Sequence, residues 1–526
     1  MNYREEILMI NYVRRRRQAD ENSNIIVAKF AAAIDNEEIL YPGVYDIRND
    51  NELMELVQKI RHDVTAKANN IQPDWSIPII LEAIGQMYYG NQQNCIYYGT
   101  IFKRSLAYLW KANKNVLADK KNLENLLNVL ELCYVLETLY AYRKFFLIID
   151  DFSFKIENGY INYNEEYTSM INQFAALIQG RGKRLRIAEV NSNLMLNKAG
   201  NFLCALLEVL SGEEPKNIKV FEGTFYEKIP GISDVECKKF WQSVFFRYIC
   251  YIETLAYEHA DTENEKGFTP SVTMFPEFAI SLPEMFFTQE IIQATFWNQD
   301  WVKAQEDEKY SNLIVERPIM RITPEGDFAT CSVLIGDSIN YFIESQILNY
   351  SSRTPKINLP SIVFKNAISS PFEDKVINKL RENSFLAGHV TEDGIWVTQT
   401  QSINLKWDDS IDLYGEIDVL AYEPILNFAI LVECKVLNDL RDYKSYKNII
   451  SKLVDDSEGF QSKLLKKGQW VNEALSNYYN ISVKAVCVLL TDIPIPILNF
   501  HNEDIILTYY DKLISVIKQL LINNEK

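Results

Sequence analysis

Two short apolar runs, each ending in charge, constrain this chain more than any other feature. The first is Gly415-Glu416-Ile417-Asp418-Val419-Leu420-Ala421 and the second is Phe428-Ala429-Ile430-Leu431-Val432-Glu433-Cys434-Lys435. Their β-branched and apolar content reads as two strands, and the short segment Tyr422 to Asn427 between them reads as a tight turn. Adjacent strands joined in this way bring Asp418, Glu433 and Lys435 to one end of a sheet. Two carboxylates suit a hard divalent cation, which prefers oxygen ligands. A lysine beside them can hold a water or offset charge on a phosphate. Together these groups are the minimum equipment for metal-assisted hydrolysis of a phosphodiester.

Length and composition set the frame for this motif. A chain of 526 residues exceeds one ordinary domain. With 47% hydrophobic and 24% charged residues it is expected to be globular. The formal net charge of -17 excludes a protein that coats nucleic acid over its whole surface, but leaves room for a local basic groove. Eight scattered cysteines contain no C-x-x-C pair, and the four histidines lie far apart. Reduced core thiols are therefore expected, and a zinc site or His-centred triad is not. No secretory leader is read at the start of the chain, and no apolar run reaches the roughly 18 residues of a membrane helix. The expected location is cytoplasmic, with no membrane partner.

The chain reads as two regions. Residues 1–355 are expected to be mostly helical, with apolar recurrence at i, i+3 and i+4 over Leu123–Tyr142, Asn201–Leu210 and Lys239–Tyr257. Strand-like pieces interrupt them at Phe145–Ile149 and Asn217–Phe221, and a hairpin is expected around Thr323–Asp327. Residues 365–526 read as an α/β unit. Its order is a helix from Ser370, strands at Phe385–Val390, Gly394–Thr400, Ile417–Tyr422 and Phe428–Lys435, and a polar connection over Asn438–Lys452. A helix over Asp456–Tyr478, a strand at Val483–Thr491, a short strand at Ile505–Leu507 and a last helix over Tyr510–Ile522 follow.

With its motif and this order of elements, the C-terminal third resembles the PD-(D/E)XK, or restriction-endonuclease-like, nuclease superfamily. Asp418 matches that family's Asp at the end of the second core strand, and Glu433 and Lys435 match its (D/E)-x-K. The residue before Asp418 is Ile417 rather than the family's Pro, and the x position is Cys434. The resemblance implies a mixed sheet flanked by helices and an Mg²⁺- or Mn²⁺-dependent nuclease. Asp418, Glu433 and the Cys434 backbone carbonyl would be its metal ligands, and Lys435 would orient the water. It also points to Glu373 on the first helix and to Gln461 on the helix after the motif, with Lys463 an alternative to Gln461. The plain alternative is a surface Asp and an exposed Glu-Lys pair at strand ends.

A local excess of base surrounds the motif: Arg441, Lys444, Lys447 and Lys452 in the connection, and Lys463, Lys466 and Lys467 on the helix. Tyr443, Tyr446 and Trp470 lie among them. These residues are expected to form a strand-binding lip, the alternative being a solvated charged face. Two further basic clusters, Arg14–Arg17 and Arg181–Arg186, are phosphate-contact candidates or plain charge runs. DNA is the expected substrate. RNA, including tRNA, and a non-cleaving binding module are the alternatives. A small nuclease core on a large partner region is the layout of bacterial restriction and anti-phage defence effectors. That layout implies recognition, restraint, or assembly with another copy or a partner protein for residues 1–355.

Overall fold

The computed structural model describes residues 3–34, 41–89, 95–112, 122–149, 151–157, 159–172, 272–275, 317, 319–322, 328–331, 365, 369–406, 415–437, 443–492, 495 and 502–524. The expected elements at Asn201–Leu210, Asn217–Phe221 and Lys239–Tyr257 lie outside these residues, as do Arg181–Arg186 and Arg441. The fold is mixed α/β, and the chain divides into two compact units, with the main break between Leu359 and Pro360.

The first unit is built on helices α1 (Tyr3–Ile34), α2 (Asp50–Ala68), α3 (Pro73–Tyr89), α4 (Cys95–Lys111) and α5 (Leu123–Arg143). In α2 the buried residues Leu53, Leu56, Val57, Ile60 and Val64 recur at helical spacing, and in α5 Leu126, Val129, Leu130, Cys133 and Leu136 do the same. Asn49 and Asn122 start these helices by accepting backbone N–H bonds from Glu52 and Glu124. Strands β1 (Tyr45–Ile47), β2 (Phe154–Glu157) and β3 (Tyr160–Tyr163) form one antiparallel sheet. Strands β4 (Val272–Phe275), β5 (Met320–Arg321) and β6 (Phe328–Cys331) form another, and β5 and β6 pair antiparallel across the expected hairpin. The strand expected at Phe145–Ile149 is instead a short 3₁₀ turn over Lys144–Leu147. Phe145 there packs on Tyr142 and Phe152, with ring centroids 5.5 and 5.3 Å apart, so aromatic packing continues the helix.

The second unit is organised by a seven-stranded mixed sheet. Its elements are α6 (Ser370–Arg381), β7 (Leu386–Val390), β8 (Ile395–Val397), β9 (Ser402–Asn404), β10 (Ile417–Glu423), β11 (Phe428–Lys435), α7 (Tyr443–Leu453), α8 (Phe460–Tyr479), β12 (Lys484–Thr491), β13 (Ile505–Tyr509) and α9 (Leu513–Asn524). The strand order is β13-β12-β11-β10-β7-β8-β9. Strands β11, β12 and β13 run parallel and the remaining pairs antiparallel. The long continuous apolar runs of β10, β11 and β12 fit this central position, because both faces are covered. On one face Val419, Ala421, Ile430, Val432, Val488 and Leu490 meet Phe372, Val376 and Leu380 of α6 and Leu513 and Ile517 of α9. On the other lies α8, where Tyr479 stacks on Tyr422 at 4.7 Å. The Cys487 thiol, from β12, donates to the Leu464 carbonyl at 3.7 Å.

Several expectations change in this unit: β9 is an additional strand, and the last helix starts at Leu513 after a 3₁₀ turn over Tyr510–Lys512. The polar connection Asn438–Lys452 contains the helix α7, because Tyr446, Ile449 and Leu453 are buried at helical spacing between its polar residues. The next helix starts at Phe460 rather than Asp456. The Asp456 carboxylate accepts the backbone N–H groups of Gln461 and Ser462 at 2.8 and 3.2 Å, and Gly459 takes the left-handed conformation that ends the loop.

Candidate active site

The β10–β11 hairpin places the charged motif. Val419 pairs with Val432 and Glu423 with Phe428. One step further along the same register, Asp418 stands opposite Glu433. The turn closes because Asn427 adopts a positive φ of 50° and the Leu426 N–H bonds the Glu423 carboxylate at 2.6 Å. Side chains alternate across a strand. With Val419, Ala421, Ile430 and Val432 on the α6 and α9 face, Asp418, Glu433 and Lys435 fall toward α8.

Asp418 sits at an irregularity that the sequence does not announce. On its other edge β10 pairs Ile417 with Val390 and Leu420 with Gly388, so Asp418 and Val419 together oppose the single residue His389. Such a bulge re-aims a side chain at a strand end. The Asp418 Oδ2 accepts the Cys434 backbone N–H at 2.7 Å, which ties the carboxylate to β11. Beyond β11, Asp492 accepts the Leu437 N–H at 2.9 Å and donates its own N–H to the Lys435 carbonyl at 3.2 Å. The chain leaving the site is thereby fixed to β12.

Glu433 binds two lysines with two different oxygens. Lys435 Nζ lies 2.7 Å from Oε1 and Lys467 Nζ 2.9 Å from Oε2. Lys435 also stands over the Phe460 ring at 4.5 Å. Lys467 is the residue that the sequence reading placed only in the basic lip. Its signal was present: it lies on the buried stripe Leu464, Lys467, Gly468, Val471, Ala474 and Leu475 of α8, where a lysine requires a partner.

Glu373, in the first turn of α6, faces the same sheet end. Burial first, and then the Asp418 charge, push its carboxyl up to about 7. Burial and the charge of Glu433 push Asp418 up to about 6, against the pull of Lys435 and of the Cys434 N–H. Burial alone would raise Glu433 as well, but the Lys435 and Lys467 ammonium groups outweigh it and hold that carboxyl below its usual range. Burial disfavours the charged form of Lys435, yet Glu433 outweighs it and raises its pKa. Lys365 bonds Glu416 at 2.8 Å at the rim and lends positive charge to both Glu373 and Asp418.

Other expected members of the site are placed elsewhere or do other work. The Gln461 amide donates to the Leu453 and Val454 carbonyls at 2.7 and 3.1 Å and accepts from Asn502 Nδ2 at 2.7 Å, so it joins α7 to α8 rather than supporting the carboxylates. The Cys434 thiol packs against the core under α6 and α9, and burial, then the nearby carboxylates, raise its pKa well above the ordinary range. Only its backbone remains for a ligand role. Lys447, Lys452, Lys463 and Lys466 are exposed on α7 and α8, and Lys452 pairs with Glu458 at 2.7 Å. Tyr446 and Trp470 are buried and cannot stack on bases, because both fall on apolar helix faces. Lys444 lies on α7.

A cation suits this donor set. Asp418 and Glu373 are both half-buried and both held above the ordinary carboxylate range, which a positive ion between or beside them would relieve. Among the described residues no three His, Cys, Asp or Glu side chains converge as a ready-made cage. Two carboxylates with waters are the usual donor set for Mg²⁺, which keeps much of its hydration.

No protein-family model, curated protein or solved structure matches this chain, so no relative lends its activity to these residues. No helix among the described residues is long and apolar enough to cross a membrane.

Proposed function

We propose that the C-terminal unit is an Mg²⁺- or Mn²⁺-dependent nuclease of the restriction-endonuclease-like kind that hydrolyses phosphodiester bonds of DNA. The observation that carries this reading is the shared sheet end of Asp418, Glu433 and Lys435, with Lys435 bonded to Glu433 at 2.7 Å. Asp418 and Glu433 would hold the cation, with the Cys434 carbonyl and waters completing its shell. When bound, the cation polarises the scissile phosphate and acidifies water.

The chain's own residues supply the rest. The Cys434 N–H and the Lys467 ammonium fix the orientation of Asp418 and Glu433. Lys435 positions the attacking water and offsets charge building on the phosphate oxygens as the new P–O bond forms and the old one breaks. Glu373, near neutrality, is suited to exchange a proton with that water. The exposed Lys447, Lys463 and Lys466 offer backbone phosphates a basic edge on an otherwise acidic protein. The first unit is read as the recognition, restraint or assembly region of a defence effector.

Incubation of the full chain with plasmid, single-stranded DNA and total RNA, with Mg²⁺, with Mn²⁺ and with chelator, tests the proposal. Metal-dependent DNA cleavage that is lost in Asp418→Ala and Lys435→Ala is expected. Cleavage of RNA alone would move the substrate, and cleavage retained in both variants would remove the site.

A further inference from the structure

The two lysines on Glu433 differ in ways that assign them different work. Lys467 has 9% of its side chain exposed and Lys435 25%. Lys467 is held by the seating of α8 on the sheet. The next residue, Gly468, packs so closely that an added Cβ would come within 2.6 Å of the Cys487 thiol sulfur. A larger residue at 468 would force either the Cys487 side chain or α8 to shift. Lys467 makes no other ion pair or hydrogen bond among the described residues, so leaving Glu433 would strand a buried ammonium. Lys435 is the more exposed of the two, and it already lies over the face of Phe460 at 4.5 Å while bonded to Glu433, so that contact does not depend on the ion pair.

We propose that Lys467 is the permanent partner of Glu433 and Lys435 the exchangeable one, so that a divalent cation enters by displacing Lys435 from Oε1 while Lys467 keeps Oε2. Resting on the nuclease reading above, this makes Lys467 a positioning residue. It limits Glu433 to one oxygen for the cation and frees the Lys435 ammonium for phosphate only once the cation has arrived. Before loading, both lysines on Glu433 are neutralised by it, and Lys435 has no unshared charge to offer a phosphate.

Lysine acylation of the full chain read by mass spectrometry, with and without Mn²⁺, tests the exchange without measuring cleavage. Calorimetric titration of wild type and Asp418→Ala with Mn²⁺ runs in parallel. The expected result is a several-fold rise in Lys435 labelling on Mn²⁺ binding, with Lys467 protected in both states. In Lys467→Met, Lys435 can move to the vacated oxygen, so its Mn²⁺-dependent rise should disappear; Lys467→Arg should restore it. If Lys467→Met does not fold, the wild-type labelling pattern decides. Mn²⁺ binding with Lys435 labelling unchanged, or with Lys467 as the residue that becomes reactive, overturns the exchange but leaves the nuclease reading standing. Absence of any Asp418-dependent Mn²⁺ binding overturns both.

Discussion

The Asp418 carboxylate is bonded to the backbone N–H of Cys434, 2.7 Å away across the β10–β11 hairpin. This bond crosses from the strand carrying one acid to the strand carrying the other, so the spacing of the carboxylates is set by the sheet itself. Asp418→Asn keeps an acceptor for Cys434, whereas Asp418→Ala leaves a part-buried N–H unpaired. Both variants should lose cleavage. The alanine variant should also lose about 1–3 kcal/mol of stability in chelator, and the asparagine variant little. Urea unfolding of the two proteins makes the comparison, and equal losses would show that the bond does not hold the carboxylate.

Lys435→Ala should reduce the cleavage rate by on the order of 10²–10³-fold while Mn²⁺ still binds, because in the proposed mechanism the lysine acts on developing charge and not as a cation ligand. Rates and calorimetry on the same preparation separate these effects. Loss of Mn²⁺ binding in this variant would contradict the assigned role.

Stability in chelator should fall as pH rises through about 6 to 7. Asp418 and Glu373 have folded values of about 6 and about 7, above those of an unfolded chain. The folded state therefore holds protons that the unfolded state has released. That contribution is complete below about pH 4 and is lost as each group ionises on the way up. Glu373→Gln should flatten the slope between pH 5 and 8 by about 1 kcal/mol, after allowance for solvent screening. Denaturant midpoints at the two pH values read this directly, and an unchanged slope would argue against a half-buried, raised Glu373. The depressed Glu433 acts with opposite sign: its contribution is present above its unfolded value and lost as pH falls toward its folded one.

Gln461→Ala should destabilise the α7–α8 junction by about 1–3 kcal/mol, because the Leu453 and Val454 carbonyls and Asn502 lose a shared partner. Cleavage per folded molecule should persist. A variant of normal stability that no longer cuts would return Gln461 to the chemistry.

Gly388→Ala should prevent β7 and β8 from pairing as they do, since the added Cβ would come within 1.9 Å of the Val397 carbonyl oxygen. The obstacle is backbone, which cannot step aside as a flexible side chain can. Substantial unfolding, visible by circular dichroism, is the expected outcome.

The strands that carry the motif were legible because their signals are local. Asp418 near the start of one continuous apolar run, Glu433 and Lys435 at the close of the next and turn residues between them specify a buried hairpin; β11 spans Phe428–Lys435 as read, whereas β10 runs on to Glu423 and leaves only residues 424–427 of the expected turn. Helix α7 was hidden because only Tyr446, Ile449 and Leu453 mark its buried face among polar neighbours. Tyr446 and Trp470 were misplaced for a related reason: aromatic residues among lysines look alike in sequence whether they face solvent or core. Of the two residues read for the helix after the motif, Gln461 bonds α7 and Lys463 is exposed, because neither has the helix phase that faces the sheet end. Lys467, which the sequence places only in the basic lip, has that phase, and a lysine inside an apolar stripe is the available clue.

By itself, then, the sequence determined which residues end the two central strands and that two acids and a lysine share one sheet end, because strand periodicity and turn chemistry act over a few residues. Tertiary structure decided the rest: the bulge that aims Asp418, the pairing of Glu433 with a lysine 34 positions away, and the separation of Gln461 from the site. Those features depend on strand register and on how closely α8 seats on the sheet. Both are set by packing between elements distant in the chain, and no local pattern encodes them.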